Sequence, residues 1–276
     1  MKLYRTASGI FLERADRFFL LEQGEWDVLV NRDDLHAYLE SLPVDRMTSR
    51  SDLPGETLLP PIGSQEIWAS GVTYYRSRTA RMREAERAGG GDFYDKVYEA
   101  ERPELFFKAP PHRTAGPEGK VRIRRDSTWD VPEPELTLFI SSNAKIVGYT
   151  IGNDMSSRSI EGENPLYLPQ AKTYDRSAAL GPCLYVPAHP IDSDTRIAMQ
   201  ILRAGDPVYD EQIAISQMKR SHEELVGFLY RECAFPTGCF LMTGTGLVPP
   251  DEFTLASGDE IRIRIDGIGT LVNYVE

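Results

Sequence analysis

WDVPEPELTLFISSNAKIVGYTIGND, residues 129–154, is the stretch of this sequence that decides the fold. Pro132 and Pro134 force an extended backbone, and side chains two residues apart on a strand point to the same side of the sheet. Glu133 and Glu135 therefore project together from one face of a strand. Two carboxylates converge there.

The same stretch has the pattern of a β-hairpin. A polar turn, SSNA, separates two runs that are rich in β-branched and aromatic residues. If the turn centres near Asn143, residue i faces roughly residue 286 − i, which brings Asp154 to about position 132, beside the two glutamates. Three carboxylates this close repel one another unless a cation neutralises them or one takes up a proton. An all-oxygen set of this kind suits Mg²⁺ or Mn²⁺.

Spacing alone leaves a second interpretation of Glu133 and Glu135 open. Both could be solvated residues on an edge strand, where proline is also common. A chain with 42 acidic residues has many surface positions of that kind. The spacing does not decide between a metal site and an acidic surface.

Composition and charge exclude several classes of protein. The chain has 276 residues, of which 41% are hydrophobic and 26% charged, close to the average of globular proteins. Its 31 basic and 42 acidic residues give a net charge of −11, which repels a phosphate backbone, so we expect no nucleic-acid partner. The N-terminal stretch is too charged for a secretion signal, and the longest uncharged run is rich in Gly, Thr and Pro. We expect a cytoplasmic protein with no membrane partner.

Cysteine and histidine usage argues against a disulfide framework and a zinc site. The three cysteines, Cys183, Cys233 and Cys239, are odd in number and lack CxxC spacing, so we expect buried thiols. The four histidines are scattered without paired spacing. Any metal would therefore need oxygen ligands.

A polar, proline-containing stretch from Asp45 to Pro61 predicts a domain boundary near residue 60. Residues 1–60 would form a small α+β domain with a helix in NRDDLHAYLESL, residues 31–42, capped by Asn31 or Asp33. Residues 61–276 would form the larger, catalytic domain.

Strand patterns dominate the larger domain. They continue from residue 102 onward, with one helix in SQMKRSHEELVGFLYREC, residues 216–233, so the chain is predicted to be α+β and mostly β. The glycines at 89–91 are typical of a helix stop and could also hinge a lid. No GxGxxG or Walker motif occurs, so a Rossmann or P-loop fold has no support.

Several motifs occur in an order that resembles the fumarylacetoacetate hydrolase family. They are Glu133-Pro-Glu135, VGYTIGND at 147–154, Lys172, a Leu180-Gly-Pro182 turn, Thr243-Gly-Thr245 and GIGTLVN at 267–273. The resemblance implies a mixed β-sandwich roll with a small N-terminal α+β domain, assembled as a homodimer or homotetramer.

Three further segments resemble a dehydratase branch of that family, which acts on 2-keto-3-deoxy sugar acids. They are YDKVYEAERPELFFKA at 94–109, STWDVPEPEL at 127–136 and ENPLYLPQAK at 163–172. Hydrolases of the family usually carry a GxNYxxH segment, but GVTYYRS at 71–77 has Ser77 in the place of the histidine. Activation of water by that histidine is therefore not available here, which favours the dehydratase branch.

The resemblance implies conversion of 2-keto-3-deoxy-D-arabinonate or -xylonate to 2-oxoglutarate semialdehyde through a Mg²⁺-stabilised enolate. Glu133, Glu135 and Asp154 would hold the Mg²⁺, with Mn²⁺ or Ca²⁺ as substitutes.

The resemblance also implies roles for four other residues. Glu104 and Lys172 are the candidate catalytic acid and base, and the sequence does not say which of them is the base. Lys108 and Thr245 are candidates for binding the substrate. An ion pair with a metal ligand is the alternative role for either lysine.

Two alternatives stay open. The same fold and metal could hydrolyse acylpyruvates or decarboxylate oxaloacetate, although Ser77 counts against hydrolysis. A non-catalytic protein could instead use the acidic cluster to hold Ca²⁺ or a solute. Turnover of a 2-keto acid separates the enzymes from the binding protein.

Overall fold

A computed structural model describes residues 1–21, 24–53, 57–74 and 97–276. The strands are β1 (Lys2–Thr6), β2 (Gly9–Arg14), β3 (Arg17–Leu21), β4 (Ser49–Arg50), β5 (Leu58–Leu59), β6 (Glu66–Gly71), β7 (Glu104–Ala109), β8 (Thr114–Ala115), β9 (Gly119–Val121), β10 (Asp130–Ile140), β11 (Ile146–Ser157), β12 (Ala178–Tyr185), β13 (Arg196–Arg203), β14 (Asp206–Ala214), β15 (Cys239–Met242), β16 (Glu260–Ile265) and β17 (Gly269–Val275). The helices are α1 (Trp26–Val30), α2 (Leu35–Ser41), α3 (Arg158–Glu163), α4 (Leu168–Lys172) and α5 (His222–Leu229).

These strands form two sheets that pack face to face. The twelve-stranded sheet has the order β4-β3-β2-β1-β12-β11-β10-β15-β6-β7, with β5 beside β1 and β8 beside β12. The five-stranded sheet has the order β14-β13-β16-β17-β9. Strands β10, β11 and β12 of the first sheet pack on β13, β16 and β17 of the second. The predicted mostly β architecture with mixed sheets is confirmed, since β15 and β6 run parallel within a largely antiparallel sheet.

Strand β10 lies in the middle of the large sheet and is buried on both faces. All eleven of its residues are buried, and it pairs with β11 on one side and β15 on the other. Leu136 and Leu138 point into the core between the sheets, whereas Phe139 joins the cluster around α1 and α2. Glu133 and Glu135 share the face of Phe139 because each lies an even number of residues from it along the strand. The alternative of a solvated edge strand is therefore excluded.

The β10–β11 hairpin has a register one residue away from the predicted one. Ile140 pairs with Ile146, as a turn centred on Asn143 requires, but Phe139 pairs with Gly148. The extra residue between them forms a bulge, so Asp154 lies opposite Glu133 and not opposite position 132. A slip of one residue reverses the face of every side chain. The bulge thus places Asp154 on the face of the two glutamates.

The predicted helix in residues 31–42 is confirmed, but neither predicted cap is correct. The helix α2 begins after Asp34, whose side chain makes no capping hydrogen bond. Asn31 instead accepts a hydrogen bond from the Ser142 main chain, and Asp33 accepts one from the Ser141 hydroxyl at 2.6 Å. Both side chains are thus used to hold the β10–β11 turn.

The first 60 residues contain strands and helices, as expected of an α+β segment. Its strand β1 pairs with β12, so the large sheet runs without a break from this segment into the rest of the chain. The division into domains at residue 60 stays a prediction.

Three further sequence predictions have mixed outcomes. The helix predicted in residues 216–233 is confirmed as α5, which Ser221 caps by accepting a hydrogen bond from the Glu224 main chain. The predicted turn at 180–182 lies inside β12, where the Gly181–Pro182 peptide bond is cis. Cys183 and Cys239 are buried as expected, but Cys233 is exposed, because it lies in the loop between α5 and β15.

The glycines at 89–91 and Ser77 lie outside the described residues. Among the helices that are described, none is long and apolar enough to cross a membrane.

Candidate metal centre and active site

The carboxylates of Glu133, Glu135 and Asp154 come together on adjacent strands of the large sheet. One oxygen of each lies within 4.8 Å of the others, and all three residues are buried. Glu133 and Asp154 are direct cross-strand partners, and Glu135 follows two residues along β10. The structure thus brings together the three predicted metal ligands.

Lys172, the last residue of α4, reaches into this cluster. Its ammonium group donates to Glu133 Oε2 at 2.7 Å, to Asp154 Oδ2 at 3.1 Å and to Ser156 Oγ at 2.6 Å. The side chain is only 1% exposed, so it interacts with the carboxylates away from bulk water. One lysine therefore bridges two of the three predicted ligands.

Lys108 enters from β7, at the other end of the sheet. Its Nζ lies 2.5 Å from Asp154 Oδ1 and donates to the main-chain oxygens of Met155 and Lys172. Burial lowers the pKa of Lys108, and the Asp154 carboxylate opposes that shift. These contacts orient Asp154 and join β7 to β11 and α4; binding of substrate by Lys108 stays a prediction.

Arg158 and Glu161 are part of the site and were missed by sequence reasoning. Arg158, at the start of α3, donates to Glu133 Oε1 at 2.6 Å, and its Nε lies 4.0 Å from Glu161 Oε2. Asp154 and Ser156 are two residues apart at the end of β11, and Arg158 follows two residues later, directly after the strand, so strand alternation from Asp154 could have indicated that all three lie on one side.

Glu135 is held by the main chain of the Thr-Gly-Thr segment. Its Oε2 accepts a hydrogen bond of 2.6 Å from the Gly244 N–H. The pKa of Glu135 is nevertheless raised well above its ordinary value, first by burial and then by the neighbouring carboxylates of Asp154 and Glu133. In the absence of a further cation, the protonated form of Glu135 is thus favoured more than it is in an ordinary glutamate.

A small cavity adjoins the carboxylates. Gly71, Phe106, Lys172 and Thr245 are among the residues that line it. Its free volume is about 10 Å³, close to the space that one water molecule needs. A space of this volume is too small for a ligand the size of a sugar acid.

Of two further predicted residues, Thr245 lines this cavity and Glu104 packs against Gly71, which lines it. The Thr245 hydroxyl donates to the Leu247 carbonyl at 3.3 Å and accepts from the Leu247 N–H at 3.1 Å. Glu104 pairs across the strands with Gly71, and its carboxylate packs against that glycine. The roles predicted for Thr245 and Glu104 stay predictions.

The donor set fits a divalent cation with hard oxygen ligands. Three buried carboxylates, with no nitrogen or sulfur ligand in the group, are typical of Mg²⁺, Mn²⁺ or Ca²⁺ sites and unlike those of Zn²⁺. The pKa of Glu135 is raised first by burial and then by repulsion from Asp154 and Glu133, and a bound cation would relieve that repulsion.

Glu135→Gln tests this coupling between proton and metal. Because the folded-state pKa of Glu135 is raised, the metal-free folded protein binds the extra proton at low pH and loses stability as the pH rises above the ordinary value of a glutamate. We expect Mg²⁺ to reverse that loss of stability. We expect E135Q to abolish this part of the pH dependence and to weaken Mg²⁺ binding at least ~10-fold. Denaturant unfolding across pH and calorimetric titration with Mg²⁺ measure the two effects.

The matched control is E232Q, which removes the charge of an exposed glutamate. It should leave the affinity for Mg²⁺ unchanged. Equal Mg²⁺ affinities for E135Q and the unmodified protein would contradict the assignment of Glu135 as a ligand.

Comparison with known proteins agrees with this geometry. Residues 67–276 match the family model described as fumarylacetoacetate (FAA) hydrolase, C-terminal. The chain is 50% identical over 216 residues to the probable 2-keto-3-deoxyxylonate dehydratase of Haloferax volcanii, covering 78% of this chain and 73% of that protein. It is 40% identical over 220 residues to the 2-dehydro-3-deoxy-D-arabinonate dehydratase of Saccharolobus solfataricus, covering 78% and 73%.

A solved structure also covers the whole chain. It is that of 2-keto-3-deoxy-D-arabinonate dehydratase complexed with magnesium and 2,5-dioxopentanoate, with a TM-score of 0.84 and 32% identity over 100% of this chain and 99% of that one. The fold that the sequence motifs implied is thereby confirmed. Because the family model and both relatives match most of its length, the chain belongs to the fumarylacetoacetate hydrolase family.

Proposed function

We propose that this protein is a Mg²⁺-dependent dehydratase that converts 2-keto-3-deoxy-D-arabinonate or -xylonate to 2,5-dioxopentanoate, which is 2-oxoglutarate semialdehyde. The observation that carries the proposal is the buried group of Glu133, Glu135 and Asp154, with Lys172 bonded to two of them. Relatives that match most of the chain are named as dehydratases of such acids, and a related structure is described as holding magnesium and 2,5-dioxopentanoate.

Glu133, Glu135 and Asp154 would hold the cation. When bound, a divalent cation would draw electron density from the 2-keto group and so acidify the protons on C3. The protein's contribution is to keep the three carboxylates in place, through Arg158 on Glu133 and the Gly244 N–H on Glu135.

The charge of the cluster suits an anionic substrate. With every group ionised, the described carboxylates of Glu133, Glu135, Asp154 and Glu161 and the cations of Lys108, Lys172 and Arg158 leave one net negative charge. Addition of a divalent cation reverses this to one net positive charge. The carboxylate of a 2-keto acid then neutralises the site, which matters because a buried charge without a partner is costly.

The reaction needs groups that move protons. A proton leaves C3 and the C4 hydroxyl departs as water; loss of a C5 proton and protonation at C3 then give the enol with a C4–C5 double bond. This enol becomes the aldehyde when C4 takes up a proton and the C5 hydroxyl loses its own. Glu104 and Lys172 are proposed for these transfers, since Lys172 lines the cavity and Glu104 packs against Gly71 in its wall. Which of the two removes the C3 proton is left open.

Substrate recognition is proposed for Thr245 and Lys108. Thr245 lines the cavity and can turn its hydroxyl from Leu247 to a ligand. Lys108 would act chiefly through Asp154, because its ammonium group already contacts that carboxylate and two carbonyl oxygens. Assembly as a homodimer or homotetramer and a cytoplasmic location are further proposals, based on the family likeness.

Turnover is the first test of the proposed function. Purified protein with 2-keto-3-deoxy-D-arabinonate should form 2,5-dioxopentanoate with Mg²⁺ and none with EDTA, as a coupled semialdehyde dehydrogenase assay would record. Acylpyruvates and oxaloacetate serve as alternative substrates.

Three outcomes separate the candidate functions. Metal-dependent product supports the dehydratase. Consumption of acylpyruvate or oxaloacetate with no dehydration would move the reaction to the hydrolase or decarboxylase alternative, and binding of Ca²⁺ without any turnover would favour the binding protein.

Substitutions test the two acid–base residues. Glu104→Gln and Lys172→Met should each lower kcat by about 10²–10⁴-fold, the usual contribution of a positioned acid or base. Glu252→Gln and Lys120→Met make the same chemical changes at exposed positions and should leave kcat unchanged. Steady-state kinetics at saturating Mg²⁺ measures the effect, and normal kcat in either site variant would remove that residue from the proposal.

A further inference from the structure

We infer that Gly71 is a positioning residue for Glu104: the space left by its missing side chain is the slot that the Glu104 carboxylate occupies. The inference rests on the proposed function, because it gives the position of Glu104 a catalytic consequence. Gly71 would thus affect the reaction although it has no side chain with which to contact the substrate or the metal.

Gly71 and Glu104 face each other in the antiparallel pair of β6 and β7. A Cβ atom added to Gly71 would lie 2.0 Å from Glu104 Oε2 and 2.6 Å from Glu104 Cδ, which is closer than such atoms approach in proteins. The same Cβ would lie 3.4 Å from Glu104 Cγ, at an ordinary contact distance. Only the carboxylate group is in conflict with a side chain at this position.

The backbone at Gly71 does not itself need glycine. Its φ angle is not in the left-handed region, unlike that of Gly244, where φ is +91°. A glycine in the interior of a strand costs stability, since it has no side chain to pack and loses more backbone entropy on folding. Close approach of the Glu104 carboxylate is the feature that requires glycine at Gly71.

The slot holds the carboxylate against Gly71, which is itself part of the cavity wall. Gly71 lines that cavity together with Glu133, Asp154 and Lys172. The main chain at Glu104 is fixed by the strand pairing and by the Ser70 hydroxyl, which donates to the Glu104 carbonyl at 3.0 Å. A side chain at Gly71 would therefore leave the strand in place and displace the carboxylate from its position against Gly71.

Gly71→Ala tests the slot. Because the conflict is with the flexible end of one side chain, we expect G71A to keep the unfolding midpoint and the Mg²⁺ affinity of the unmodified protein. We expect kcat to fall at least ~10-fold with KM little changed, because a displaced acid or base loses part of the ~10²–10⁴-fold that a positioned one contributes. Gly227→Ala is the control, since nothing lies within 4 Å of a Cβ at that helical position.

A double-substitution cycle separates positioning from a general structural effect. Aspartate at position 104 would carry its carboxyl carbon near the place of the present Glu104 Cγ, away from the closest conflict with an alanine at Gly71. Glu104→Asp alone should lower kcat, and G71A/E104D should be no slower than E104D. Effects of G71A and E104D that simply multiply would overturn the inference.

A crystal structure of G71A distinguishes failure of this inference from failure of the proposed function. The Glu104 carboxylate should be displaced from its slot whatever reaction the protein catalyses. If it keeps its place beside the new methyl group, the inference is wrong even for an active dehydratase. If it is displaced and the unmodified protein lacks dehydratase activity, the proposed function fails and the slot stands.

Discussion

The repulsion among three buried carboxylates is the constraint on which this site depends. Glu133, Glu135 and Asp154 lie within 4.8 Å of one another at the centre of the large sheet, where little water can screen them. Lys172 and Arg158 neutralise part of this charge, yet the pKa of Glu135 stays well above its ordinary value because burial and the other two carboxylates disfavour its ionised form. The cluster therefore favours binding of one more cation and, once that cation is bound, of one more anion.

The large sheet curls, so that strands distant from each other in its order come together around these charges. In the strand order, β10, β15 and β6 separate β11 from β7, yet Lys108 on β7 contacts Asp154 on β11 at 2.5 Å. The sheet must roll over for that contact to form, and α4 closes the gap by offering the Lys172 carbonyl to the Lys108 ammonium group. Lys172 thus stabilises the curled sheet through its main chain and contributes its side chain to the carboxylate cluster.

The sequence predicts this centre in part, and the limits have physical causes. The proline pattern placed Glu133 and Glu135 on one face, and counting from the turn brought Asp154 near them. The count was one residue off because a bulge between Phe139 and Ile140 cannot be read from alternation alone. Local sequence patterns could not predict the contact between Lys108 and Asp154, because that contact arises from the curl of the sheet.

Resemblance to the family supplied Glu104 and Lys172, whose roles stay predictions.

Mn²⁺ is the most direct probe of the central claim, that Glu133, Glu135 and Asp154 hold one divalent cation, because its anomalous X-ray scattering identifies the ion in a crystal. The account predicts one strong anomalous peak in contact with all three carboxylates in crystals soaked with Mn²⁺. A peak at any other place, or none at saturating Mn²⁺, would contradict it.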